Sequence, residues 1–190
     1  GGSVTSAPMT VPAGGGAVAF TGLDASTLPD GAVALSITVI DSAQNSATFA
    51  GTSATKDTVA PAAPISASVA AGANNAAGIV NAASASSVDV QVTWGPTADA
   101  TATFTVTLGG TVSSGSLAVV ASSTVAATGL NCSGLPEGGV AVNVIAVDPA
   151  GNSTAFAGTA ATKDTVAPTA ITAVFIPAGA NNAANVICLA

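Results

Sequence analysis

The octapeptide ATKDTVAP occurs twice, at 54–61 and 161–168, and its two copies carry the only cations of the chain, Lys56 and Lys163. They stand 107 positions apart, and the same offset joins Asp41 to Asp148, Asn45 to Asn152 and Phe49 to Phe156. It also joins LPDG at 28–31 to LPEG at 135–138, and AGANNAA at 71–77 to AGANNAA at 178–184. Upstream, GGSVTS at 1–6 answers GGTVSS at 109–114 at an offset of 108, so one loop differs by a residue. A pattern that recurs must fold the same way each time. The period exceeds that of solenoid repeats and suits a series of small domains, each with its own core. Placing the boundaries at Asp57 and Asp164 divides the chain into the C-terminal half of one repeat (1–57), a complete repeat (58–163) and the N-terminal strands of a third (164–190). The expectation is a stretch of a longer tandem array.

The local pattern is that of half-buried strands. In VDVQVTW, Val88, Val90, Val92 and Trp94 share one face, while Asp89, Gln91 and Thr93 share the other. In TATFTVTL, Ala102, Phe104, Val106 and Leu108 oppose four threonines, and VALSITVI at 33–40 and VAVNVIAV at 140–147 behave alike. Turn residues separate these runs, as in GPTADA, LPEGG and DPAGN, and no segment has a helical period. The spacing predicts an all-β chain of antiparallel sheets packed face to face. Only 6% of residues are charged and mean hydropathy is +0.66, which raises the question of a membrane span. No block of about 20 predominantly apolar residues exists, because Pro, Asn, Ser and Gly interrupt every uncharged stretch, so no transmembrane segment is expected.

Composition also narrows the chemistry. The chain has no His, so Ser–His and Cys–His nucleophile pairs and His-ligated metals are excluded. A formal net charge of −7 with two cations argues against nucleic acid as a partner. The acids sit in turns rather than in an evident cleft, and GGG at 14–16 opens no helix, so no enzyme is expected. The sequons NCS at 131–133 and NST at 152–154 match the N-glycosylation pattern.

DTVAP, an extended stretch, VDVQVTWGP, TFTVTLGG and then TGLNCSGLPEGGVAVNVIAVDPAGNST before the next DTVAP resemble the bacterial immunoglobulin-like repeats, relatives of fibronectin type III domains, of large surface adhesins. The pairing of DxAGN with a later DTxAP carries the resemblance. Val140 stands where such domains place a corner Tyr, and the first copy reads DSAQN in place of DPAGN. The resemblance implies tandem immunoglobulin-like or fibronectin type III-like antiparallel β-sandwiches. It implies a secreted or bacterial cell-surface chain that is non-enzymatic and forms a rod-like spacer. The alternative is a self-assembling subunit of an extracellular filament or surface coat, with identical chains as partners in place of neighbouring repeats alone.

In a sandwich of this kind the loops 95–100 and 148–152 lie at the pole beside the linker. Asp57, Asp99 and Asp148 are then expected to converge, with Asp30 of the preceding repeat facing them across the joint and Asp164 opening the next joint. Several carboxylates at one pole repel without a cation, and hard oxygen ligands on flexible loops suit Ca²⁺, which takes about six to eight of them. Adhesin repeats of this type carry Ca²⁺ at such joints, which supports the same expectation. Lys56 is expected to run its stem along the surface. Cys132 and Cys188 replace Ala25 and Asn81 of the pattern one repeat earlier and lie about a domain apart, too far for a mutual disulfide. Each is open to a bond with another cysteine or to a role as a small buried hydrophobe.

Overall fold

A computed structural model describes residues 2–180 and 183–184. Every regular element among them is a strand. The first repeat contributes β1 (Gly31–Val33), β2 (Ser36–Ile40), β3 (Ser46–Ala50) and β4 (Ala54–Lys56). The complete repeat opens with β5 (Ser66–Val69), β6 (Ile79–Asn81), β7 (Val88–Thr93) and β8 (Thr103–Leu108). It continues with β9 (Val112–Ser113), β10 (Leu117–Ala118) and β11 (Thr124–Leu130), and closes with β12 (Gly138–Val140), β13 (Val142–Val147), β14 (Ser153–Ala157) and β15 (Ala161–Asp164). No helix among the described residues is long and apolar enough to cross a membrane.

The alternation read from the sequence is the alternation of burial. Val88, Val90 and Val92 of β7 point inward, as do Phe104, Val106 and Leu108 of β8 and Val142, Val144 and Ala146 of β13. One antiparallel sheet runs β11-β7-β5 and another runs β10-β8-β13-β14, with β9 added beside β8. Their inner faces share one hydrophobic core, giving a β-sandwich. The indole of Trp94 fills it, 1% exposed, with its ring centroid 5.2 Å from that of Phe104 and the planes tilted by 57°. Such a pair contributes about 0.5–1.5 kcal/mol beyond the area it buries. Phe156 packs half-buried against the same core.

A third, small sheet adds Val80, Val140 and Ala161 to the same core. There β15 pairs antiparallel with β12 and parallel with β6, so the last strand is held from both sides and the chain leaves from a fixed place. The first repeat has the same ladders: Gly31 faces Lys56 as Gly138 faces Lys163, and Ser36 faces Ala50 as Asn143 faces Ala157. Its packing differs completely, since no residue between 2 and 57 is buried. Leu35 and Ile37 are 47% and 37% exposed, whereas their counterparts Val142 and Val144 are 1% and 0% exposed. The hairpin is preserved, but no opposing sheet covers it among the described residues.

Candidate joint between the repeats

Both lysines do the same thing at the same place. The Nζ of Lys163 donates to the carbonyl oxygens of Leu135 at 2.5 Å and Ser133 at 3.2 Å and stands 3.5 Å from Glu137 Oε1. The Nζ of Lys56 donates to Leu28 O at 2.5 Å and Ser26 O at 3.5 Å and stands 3.5 Å from Asp30 Oδ1. The turn Leu-Pro-acid-Gly makes this possible. Its Gly takes a positive φ, +119° at Gly31 and +106° at Gly138, a region open to glycine and strained for other residues, and this bends the chain back to meet the final strand. The carbonyls left over by the turn then need a donor, and the lysine facing that glycine in the ladder supplies it. The expected surface-lying stem is therefore corrected: the Lys163 side chain is 5% exposed and that of Lys56 18%, because each ammonium group reaches inward to two carbonyls and a carboxylate.

The acid of the turn holds the start of the linker. Asp30 accepts from Thr58 N at 3.2 Å and Thr58 Oγ1 at 2.8 Å, and Glu137 accepts from Thr165 N at 2.8 Å and from the Thr165 hydroxyl. These hydrogen bonds, from Thr58 and Thr165 first and with the lysine charges adding to them, hold both carboxyls below their ordinary range. Next along the linker, Asp57 Oδ1 accepts from Val59 N at 3.0 Å, and Asp164 repeats this with Val166 N at 3.1 Å.

The downstream repeat grips the other side of the linker through the β13–β14 hairpin. Asp148 is buried, and its two oxygens accept from Asn152 N and Asn152 Nδ2, each at 2.9 Å. This fixes the Asn152 amide so that its nitrogen also donates to Asp57 O at 3.2 Å. Thr154 Oγ1 donates to Pro61 O at 2.5 Å, and Thr159 N to Ala67 O at 2.8 Å. Pro61 and Pro64 are buried here, whereas Pro168 of the second ATKDTVAP is exposed. The Asp41–Asn45 turn has the same internal bonds, with Asn45 Nδ2 on Asp41 Oδ2 at 2.8 Å, but it holds no linker.

The five acids expected to ligate Ca²⁺ are thus placed as follows. Asp30, Asp57 and Asp148 all belong to the joint, connected through Thr58 and Asn152. Asp164 begins the equivalent exit. Asp99 is turned onto Thr101, accepting from its N at 2.8 Å and its Oγ1 at 2.7 Å, and these bonds hold its carboxyl below the ordinary range. Among the described residues no three acidic, cysteine or histidine side chains come together in a group able to hold a metal ion. Each of the five carboxylates accepts hydrogen bonds from a nearby residue: Asp30 from Thr58, Asp57 from Val59, Asp99 from Thr101, Asp148 from Asn152 and Asp164 from Val166.

The sequence reading gave Thr58, Glu137, Asn152 and Thr154 no part in the joint. Three of these were visible in the 107-residue offset: Thr58 matches Thr165, Asn152 matches Asn45 and Glu137 matches Asp30. Thr154 has Ala47 as its counterpart and carried no such signal. The amide of the sequon residue Asn152 is committed to the joint. Cys132 is a free, fully buried thiol whose pKa is raised by burial against the opposing charge of Lys163, which fits the small-hydrophobe alternative. Cys188 lies outside the described residues. No family model, no curated protein and no solved structure matches the chain.

Proposed function

We propose that the chain is a non-enzymatic structural segment of tandem immunoglobulin-like repeats, a rod-like spacer of a secreted or cell-surface bacterial adhesin. The observation that carries this reading is the joint. A linker that hydrogen-bonds the preceding repeat through Thr58 and the following one through the carbonyls of Asp57 and Pro61 has little freedom to swing. Such a connection suits a part whose task is to hold a distance. The repeated lysine clamp gives every exit the same geometry, so successive repeats would follow one another at a constant angle. The resemblance of DPAGN and DTVAP to adhesin repeats supports the same reading.

The test is small-angle scattering on the chain and on Asn152→Ala, Thr154→Ala. The parent is expected to give one narrow distribution of dimensions and the double variant a broad one, with the sandwich still folded. Equal breadth in both would remove the stiff-joint reading. Chelator serves as a second arm. Calcium-dependent stiffness would require acidic side chains to gather into a group able to hold the ion, which none of the described residues form, so the expected result is an unchanged profile and thermal midpoint on adding chelator. A midpoint that falls in chelator would instead assign the joint to Ca²⁺.

A further inference from the structure

We infer that Asn131 is an N-linked glycosylation site, and that Asn152, the acceptor of the other sequon, is not. The fold treats the two motifs oppositely. Asn152 Nδ2 spends its N–H groups on Asp148 Oδ2 at 2.9 Å and Asp57 O at 3.2 Å, so a sugar on that nitrogen would displace one of them and open the joint. Asn131 is exposed, and its Nδ2 has no partner among the described residues. Its Oδ1 accepts from Ser133 N at 3.0 Å, which ties the carboxamide into an Asx turn through its oxygen and leaves the nitrogen to solvent.

The middle of the motif is what holds it in place. Cys132 is fully buried and its N donates to Ala85 O at 2.7 Å, while Asn131 and Ser133 stand exposed on either side of it. The carbonyl of Ser133 accepts from Lys163, so the acceptor lies beside the exit clamp. The preceding repeat separates the structural duty of this position from the chemical one. Asp24 and Ser26 are the counterparts of Asn131 and Ser133, and Asp24 Oδ1 accepts from Ser26 N at 2.9 Å. Asp therefore makes the same turn. What Asn131 adds is an amide nitrogen with a hydroxyl two residues on, the pair that a sequon transferase reads and that a carboxylate does not supply.

The co-substrate is a sugar whose anomeric carbon is activated as a phosphate ester, carried by a nucleotide or a lipid. Asn131 Nδ2 attacks that carbon. The N–C bond forms as the C–O bond to phosphate breaks, the phosphate leaves with the electron pair, and the amide proton passes to a base of the transferase. A bulky hydrophilic group there would cover the turn that Lys163 holds. The inference is independent of the spacer reading, since a bare chain can be stiff and a glycosylated one flexible.

The test is peptide mapping by mass spectrometry, with fragmentation that retains the sugar, on the protein taken from the cells that make it and on variants expressed there. Sugar is expected on Asn131 and not on Asn152. Sugars added one at a time would point to a nucleotide donor, and a single uniform block to a lipid-linked one. Ser133→Ala keeps the backbone N–H of the turn but removes the hydroxyl, and Asn131→Asp restores the turn of the preceding repeat. Both are expected to lose the sugar while Trp94 emission shows the sandwich folded. Asp24→Asn completes a sequon in the equivalent turn and is expected to gain a sugar. A bare Asn131 in the parent, sugar on Asn152, a Ser133→Ala variant that keeps its sugar, or an Asp24→Asn variant that gains none each overturns the inference.

Discussion

The lysine facing each turn glycine is the residue on which the exit of a repeat depends. Replacing Lys163 by Met keeps the apolar stem and removes the donor, leaving the carbonyls of Leu135 and Ser133 without their partner at a buried site. The expected loss is about 1–3 kcal/mol, read as an earlier midpoint in denaturant with an unchanged slope. Lys56→Met changes the same local turn but touches no core, so the midpoint of the complete sandwich should hardly move. Trp94 offers a second contrast. Its Nε1 is buried with no hydrogen-bond partner among the described residues, so Trp94→Phe is expected to lose volume but no bond within the protein, whereas Trp94→Ala opens a cavity. The alanine variant is expected to lose about 3–5 kcal/mol and the phenylalanine variant clearly less. Equal losses would mean that the indole nitrogen is bonded in solution.

At the scale of elements, the hairpin tips explain both what the sequence disclosed and what it withheld. Gly151 sits at φ +91° in DPAGN, and its counterpart in DSAQN, Gln44, sits at φ +70°. The turn is therefore fixed by the Asp and Asn that bracket it, and Gln44 carries left-handed strain costing roughly 1–2 kcal/mol. Gln44→Gly is expected to relieve it, seen as slower hydrogen exchange across β2 and β3, while Gly151→Gln should destabilise the β13–β14 tip. Strands with one buried face were legible because alternation in VDVQVTW and TFTVTL maps directly onto burial. The parallel pairing of β15 with β6 was not, since IVN at 79–81 is too short to show a period. The joint was half legible. Repetition marked Lys56, Asp57, Asp148 and Asp30 as important, but charge alone suggested mutual repulsion and a metal. What decides the outcome is where backbone donors point, as at Thr58, Thr101 and Asn152, and residue types do not reveal that.

For the whole molecule, the same carboxylates make the joint sensitive to acid. Asp30 and Glu137 have folded-state pKa values below their ordinary ones, chiefly through the hydrogen bonds from Thr58 and Thr165. A depressed carboxylate contributes stability that is present above its unfolded pKa, near 4, and is lost as pH falls through the folded value. Between neutrality and about pH 5 the tethers are therefore constant, and below the ordinary carboxylate range they weaken. Asp24, Asp41 and Asp99 are also depressed and lose their contributions in the same range, so the parent profile alone does not isolate the joint. The informative comparison is Glu137→Gln, which keeps an acceptor for Thr165 but does not titrate. Its thermal midpoint should lie below that of the parent at neutral pH and converge on it as the solution is acidified. A constant difference across the range would show that the Glu137 charge plays no part in holding the exit, leaving Lys163 and the turn carbonyls to hold it alone.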